Sequence, residues 1–182
     1  MTADRKRQDA EDDQDASTGT SLYLVRHAIA AERGPKWPDD TKRPLTHKGA
    51  ARMRQVVRGL RALGVEIDLV LTSPLVRARQ TADLLVEGLG TAPALEVVPA
   101  LAPEEPPSAV AAAVGRHATA NRVALVGHEP ALGLLGAWLI GAREPLVFKK
   151  GGVCRIDVPT LPPGRNGQLV WFATPKMLRA LA

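Results

Sequence analysis

The 182 residues carry 45% apolar and 24% charged side chains, the balance of an ordinary water-soluble chain long enough for one well-buried core. Aromatic residues make up only 3%, which argues against base-stacking platforms and specific nucleic-acid binding, and the longest strongly apolar stretch, 131–142, is too short to span a bilayer. The net charge of +5 is uneven: residues 1–20 hold three basic and six acidic side chains, net −3, so the remainder carries +8, which suits anionic ligands.

The one cysteine, Cys154, excludes an internal disulfide and fits a reducing cytoplasm, the expected location. It sits in the apolar 153–158 run, where a buried, inert thiol is expected. Residues 1–20 are charged and poor in apolar side chains; they read as a disordered tail and not as a secretory signal.

Structure is expected from Leu22. Leu22-Tyr23-Leu24-Val25 reads as a buried parallel strand, and 28–43 as a loop broken by Gly34, Pro35 and Pro38. Thr46 is placed to cap a helix in which Ala50, Met53, Val56, Val57, Leu60 and Leu63 recur at helical spacing, with Gly64 ending it. Asp68–Leu71 reads as a second strand. Ser73 then reads as the cap of a helix opening at Pro74 and running to Glu87.

Further on, 95–98 reads as a strand, 99–107 as a Pro-rich loop, 108–118 as a helix and 122–126 as the most apolar strand. Pro130 opens a helix over 131–140. Strands over 153–158 and 168–172 form a final pair across a Pro/Gly loop, and Pro175 starts a short helix. Alternating strands and helices predict an α/β protein with a mainly parallel sheet and an antiparallel edge, a single domain over 21–182.

Three strand ends carry chemistry. Arg26-His27 follows the first strand, Ser73-Pro74-Leu75-Val76-Arg77 the second, and Gly127-His128-Glu129-Pro130 the run 123–126. Strand ends of one α/β sheet converge in space. A neutral imidazole is a nucleophile near pH 7 and can take a phosphoryl group. Guanidinium groups neutralise the oxygens and hold transition-state charge. Arg77 lies in the first turn of its helix, where free N–H groups add positive potential, and His128 could donate to the same oxygens if protonated.

Together, Leu24-Val25-Arg26-His27-Ala28, the segment Ser73 to Ala82 and Val126-Gly127-His128 resemble the three motifs of the histidine phosphatase, or phosphoglycerate mutase-like, superfamily. Arg43-Pro44-Leu45-Thr46-His47-Lys48-Gly49 and the small size resemble its SixA-type phosphohistidine phosphatases. The resemblance implies a three-layer α/β/α sandwich. It implies that His27 is the phosphorylated nucleophile and that Arg26, Arg77 and His128 complete the phosphate pocket. Arg43 either lies at the rim of that pocket or pairs with Asp39 or Asp40.

Family members that act on esters use a Glu or Asp to protonate the alkoxide. Here Glu104, Glu105 and Glu32 are the candidates, each also readable as a solvated loop charge, and the 102–107 segment does not resemble the mutase acid motif. Phosphohistidine releases a neutral imidazole, a better leaving group, so it needs less of an acid. The leading expectation is therefore a monomeric phosphatase acting on phosphohistidine of a signalling protein such as a phosphotransfer domain. The alternatives are a phosphatase for small phosphate esters and a non-catalytic module that binds phosphorylated ligands. No cofactor or metal is implied, since His27, His47, His117 and His128 show no zinc spacing with carboxylates or Cys154. His47 and His117 are expected to be exposed.

Overall fold

A computed structural model of the protein describes residues 19–182. The tail expected over 1–20 lies outside the described residues except for Gly19 and Thr20, and Thr20 is the first residue of a strand. The six strands are β1 (Thr20–Arg26), β2 (Leu69–Thr72), β3 (Ala94–Val97), β4 (Arg122–Gly127), β5 (Val153–Val158) and β6 (Gln168–Ala173). The helices are α1 (His47–Ala62), α2 (Val76–Leu89), α3 (Pro107–Gly115), α4 (Ala131–Ile140) and α5 (Pro175–Ala180).

The strands form one sheet in the order β3-β2-β4-β1-β5-β6. β1 to β4 run parallel, and β5 and β6 add the expected antiparallel edge. Alternate residues of a strand face opposite sides, and β1 shows what this does. Tyr23 and Val25 pack with Met53, Val57 and Leu60 of α1, Leu85 of α2 and Leu178 of α5. Leu22 and Leu24 pack on the other face with Val110 and Val114 of α3 and Leu132 and Leu139 of α4. The result is the α/β/α sandwich.

Chain direction sets the position of the site. β1 leads to α1 on one face, whereas its neighbour β4 leads to α4 on the other. The connections therefore part between the carboxyl ends of β1 and β4, and such a switch point opens a crevice for a ligand. His27 and His128 are the residues that follow these two strands.

Local signals explain the elements beside the crevice. Thr46 caps α1, its hydroxyl accepting from the Gly49 N–H, and Gly64 leaves the helix at φ +70°. The expectation for α2 needs correction. Ser73 does not cap it: α2 starts at Val76, with Leu75 in the cap position and no side-chain cap. The Ser73 hydroxyl is engaged by His128 instead. α3 stops at Gly115, short of the 118 expected, and residues 99–101 of the following-strand loop form a 3₁₀ turn.

Candidate active site

His27 is held by backbone on both sides. Its N–H donates to the Gly127 carbonyl at 3.0 Å. The next residue, Ala28, donates its N–H to Thr81 Oγ1 at 3.1 Å, and that hydroxyl donates to the Arg77 carbonyl at 2.7 Å. The ring Nδ1 lies 2.7 Å from the Ala28 carbonyl oxygen. A carbonyl only accepts, so Nδ1 carries the proton and Nε2 keeps a free lone pair. Burial, aided by the charges of Arg77, Arg26 and Arg43 and opposed by the bond to Ala28, lowers the His27 pKa to about 4. The imidazole is neutral at physiological pH.

His128 faces it, with ring centroids 5.1 Å apart and planes inclined at 52°. Burial first, then His27 and Arg77, lower the His128 pKa to about 3. It is therefore neutral in this arrangement, and donation from it comes from a neutral N–H. Ser73 decides which. Ser73 Oγ lies 2.8 Å from His128 Nε2 and accepts the Leu75 N–H at 3.3 Å. No other acceptor for its own O–H stands among the described residues, so the hydroxyl donates to Nε2 and the ring proton lies on Nδ1. That atom is buried and has no partner among the described residues.

The arginines show the same pattern. Arg26 Nη1 donates to the Phe148 carbonyl at 2.5 Å, while Glu129 Oε1 accepts the Phe148 N–H at 2.7 Å. Arg77 Nη1 donates to the Asp40 carbonyl at 2.8 Å, and its Nη2 lies 3.1 Å from the Asp40 carboxylate. Each guanidinium is fixed at one end, and the Nε of each is buried without a partner. Burial lowers the pKa of both, yet a guanidinium stays charged at any ordinary pH.

Arg43 pairs with Asp40, one of the two readings given for it. It is buried, donating from Nε to Asp40 at 2.8 Å and from Nη1 to the Ala31 carbonyl at 2.7 Å. It also lies close enough to His27 to help depress its pKa. Asp40 is the residue that sequence reasoning missed, having treated it only as a partner for Arg43. Its carboxylate bridges Arg43, Arg77 and Arg33, and these charges, Arg43 foremost, hold it below the usual carboxylate range. Glu129 was missed as well, although it sits next to His128.

Glu104, Glu105 and Glu32 are exposed and form no hydrogen bond or ion pair with the groups above. His47 is exposed as expected. His117 is not: its side chain is 20% exposed and lies 3.7 Å from Glu96. Cys154 is buried, and burial pushes its thiol up to about 12, where it is inert.

A mostly parallel six-stranded sheet between two helical layers gives the chain a phosphoglycerate mutase-like fold. Residues 22–102 match the model of the histidine phosphatase superfamily (branch 1). The phosphohistidine phosphatase SixA of Escherichia coli K12 is 31% identical over 166 residues, 88% of this chain and 99% of that protein. An uncharacterised protein of Picosynechococcus is 44% identical over 169 residues, 86% of this chain and 98% of its own. The chain belongs to the histidine phosphatase superfamily, as a SixA-like phosphatase. Among solved structures, the protein histidine phosphatase SixA complexed with tungstate superposes with a TM-score of 0.76 at 27% identity, over 86% of this chain and 98% of that one. A phosphoglycerate mutase of Bacillus anthracis shares the fold, with a TM-score of 0.69 at 14% identity over 91% of this chain and 97% of that one.

Proposed function

We propose that the protein is a metal-independent phosphohistidine phosphatase acting through a phosphoryl-enzyme intermediate on His27. One observation carries this reading. Beside the free Nε2 of a neutral, buried His27 stand Arg26, Arg77 and His128, and each holds a buried donor without a partner. Buried donors are normally paired, so three unpaired ones around one nucleophile favour an anionic ligand.

The steps follow from these atoms. The phosphoryl oxygens of the substrate take the free donors of Arg26, Arg77 and His128, with Arg43 adding charge at the rim. His27 Nε2 forms a bond to phosphorus in line with the departing nitrogen of the substrate histidine. That nitrogen leaves with the bonding pair and takes up a proton. Water then attacks the phosphoryl group on His27, releasing inorganic phosphate and restoring the imidazole. The cationic pocket stabilises the charge on the equatorial oxygens in both steps.

The leaving group is where phosphohistidine and phosphate esters part. No carboxylic acid other than the ion-paired Asp40 is hydrogen-bonded to these groups among the described residues, and Asp40 is ionised by its arginines. An alkoxide would depart poorly without an acid, whereas imidazole does not need one to the same degree. A phosphoprotein bearing phosphohistidine, such as a phosphotransfer domain, is therefore the substrate favoured over a small ester. A purely binding module has no use for an unprotonated nucleophile at the centre of its anion site.

Rapid quench with a ³²P-phosphohistidine protein tests this. Acid-labile, base-stable label should appear on the wild-type chain and be absent from His27→Ala. Intact turnover by His27→Ala would overturn the mechanism, and faster turnover of esters than of phosphohistidine would overturn the substrate class. In that case Glu104→Gln, Glu105→Gln and Glu32→Gln would locate the acid.

A further inference from the structure

The catalytic edge of the sheet carries cations that the chemistry does not use. The turn before β5 is tied to the nucleophile: the Gly151 N–H donates to the Arg26 and His27 carbonyls at 3.1 and 3.2 Å, and the Arg26 N–H donates to Gly152 at 3.1 Å. Lys149 and Lys150 stand on that turn, exposed. α1 begins at the same edge and presents Lys48 and Arg52. α5, which follows β6, carries Lys176 in its first turn and Arg179 in its last. A small cavity of about 50 Å³ beside Ala28 and Ile29 brings three of these elements together, lined by Arg52, Lys150 and Arg179.

None of these six side chains forms an ion pair among the described residues, whereas several other surface arginines do. Arg122 binds Glu66 and Asp68, Arg155 binds Asp157, and Arg79 binds Asp83. The segments 47–54, 148–152 and 174–180 contain no Asp or Glu at all. Lys48 and Arg52 lie four apart on α1, a spacing at which like charges oppose the helix. A charged face kept free of counter-charges, beside a pocket for a phosphoryl group, is complementary to carboxylates that surround that group. A free phosphohistidine is too small to reach across it.

We infer that the face formed by Lys48, Arg52, Lys149, Lys150, Lys176 and Arg179 docks an acidic protein surface surrounding the phosphohistidine to be cleaved. This rests on the phosphohistidine reading of the site. Docking of this kind acts on encounter and capture, not on the chemical step. It sets preference among phosphorylated proteins while leaving the pocket's handling of small substrates alone.

The test compares Arg52→Glu/Lys150→Glu with wild type on two substrates: an acidic histidine phosphotransfer domain phosphorylated with phosphoramidate, and free N-phosphohistidine. Expected is a fall of about tenfold or more in kcat/KM for the domain at low salt, with the free amino acid changed by less than about twofold. Raising salt from about 50 to about 300 mM should lower wild-type kcat/KM for the domain and move the double variant little. Arg52→Gln/Lys150→Gln, gentler to folding, should fall in between. An equal loss on both substrates, or no loss on either, overturns docking while the phosphohistidine reading stands. Loss of binding to a DNA duplex with turnover of the domain unchanged also overturns it, by assigning the face to nucleic acid. If wild type cleaves neither phosphohistidine substrate faster than esters, both the reading and the docking inference fail.

Discussion

An oxygen of the Asp40 carboxylate lies 3.1 Å from Nη2 of Arg77, and the Asp40 backbone carbonyl accepts from Nη1 of the same guanidinium at 2.8 Å. A carboxylate thus sits on one of the cations proposed to hold phosphate. An arriving oxyanion must share Arg77 with it or displace it. Replacing Asp40 by Asn keeps the shape and removes the competing charge. Asp40→Asn is expected to tighten inhibition by tungstate roughly fivefold, the scale of one partly exposed ion pair. The measurement is Ki against hydrolysis of a small phosphoramidate. Weaker inhibition would instead mean that Asp40 positions Arg77 for the ligand.

Two buried neutral imidazoles make stability depend on pH. The pKa of His27 is lowered to about 4 and that of His128 to about 3, against about 6.5 for histidine in an unfolded chain. The unfolded state therefore binds protons in a range where the native state does not. Stability from this source is complete above pH 7 and is lost as pH falls below about 6.5. By pH 5 the loss is about 2 kcal/mol for each histidine. Urea unfolding at pH 5 and pH 7.5 should show it, and His128→Ala should flatten the difference by about half. On the catalytic side, kcat/KM should show no limb near 6.5, because His27 is already unprotonated there.

Ser73 gives His128 its tautomer. Ser73→Ala leaves the buried Nε2 without a partner and frees the ring proton to move from Nδ1. A buried hydrogen bond lost on one side costs about 1–3 kcal/mol, and the proposed role puts part of that in the transition state. A fall of about tenfold in kcat with little change in KM is expected. Imidazole ¹⁵N shifts should report a mixed tautomer in the variant and Nδ1–H in the wild type. A single Nδ1–H form persisting in Ser73→Ala would remove the argument.

Much of this site was legible because strand ends announce themselves. Arg26, His27 and His128 follow apolar runs short enough to read as buried strands, and Arg77 falls in the first turn of its helix even though that helix starts later than Ser73 suggested. What was hidden depends on how loops fold back. Asp40 lies 37 residues before Arg77, and only the 3₁₀ turn Asp40–Lys42 aims its carboxylate at that guanidinium. The nearer signal, an acid three residues before Arg43, pointed to one arginine and not to both. Ser73 was misread because cap chemistry and a hydrogen bond to His128 call for the same hydroxyl. The lysines and arginines of the docking face are scattered along the sequence, and only the fold brings α1, α5 and the 149–152 turn together at one edge.

Gly49 links helix packing to the nucleophile. It lies in the first turn of α1, and a Cβ there would stand 2.0 Å from the Ile29 carbonyl oxygen, an impossible approach. That carbonyl also accepts the Thr46 N–H at 2.9 Å, so the helix start and the segment two residues past His27 are pinned together. Gly49→Ala must push the 28–30 backbone away from α1. The expected cost is about 1–3 kcal/mol of stability, typical of overpacking. The shift should also reach His27 through the Ala28 carbonyl that fixes its tautomer, and lower kcat in protein that remains folded. Gly34→Ala is the control, because a Cβ there meets nothing within 4 Å. It should change stability by less than about 0.5 kcal/mol and leave turnover alone. If Gly49→Ala loses stability but keeps full kcat in the folded fraction, the helix and the nucleophile are mechanically independent.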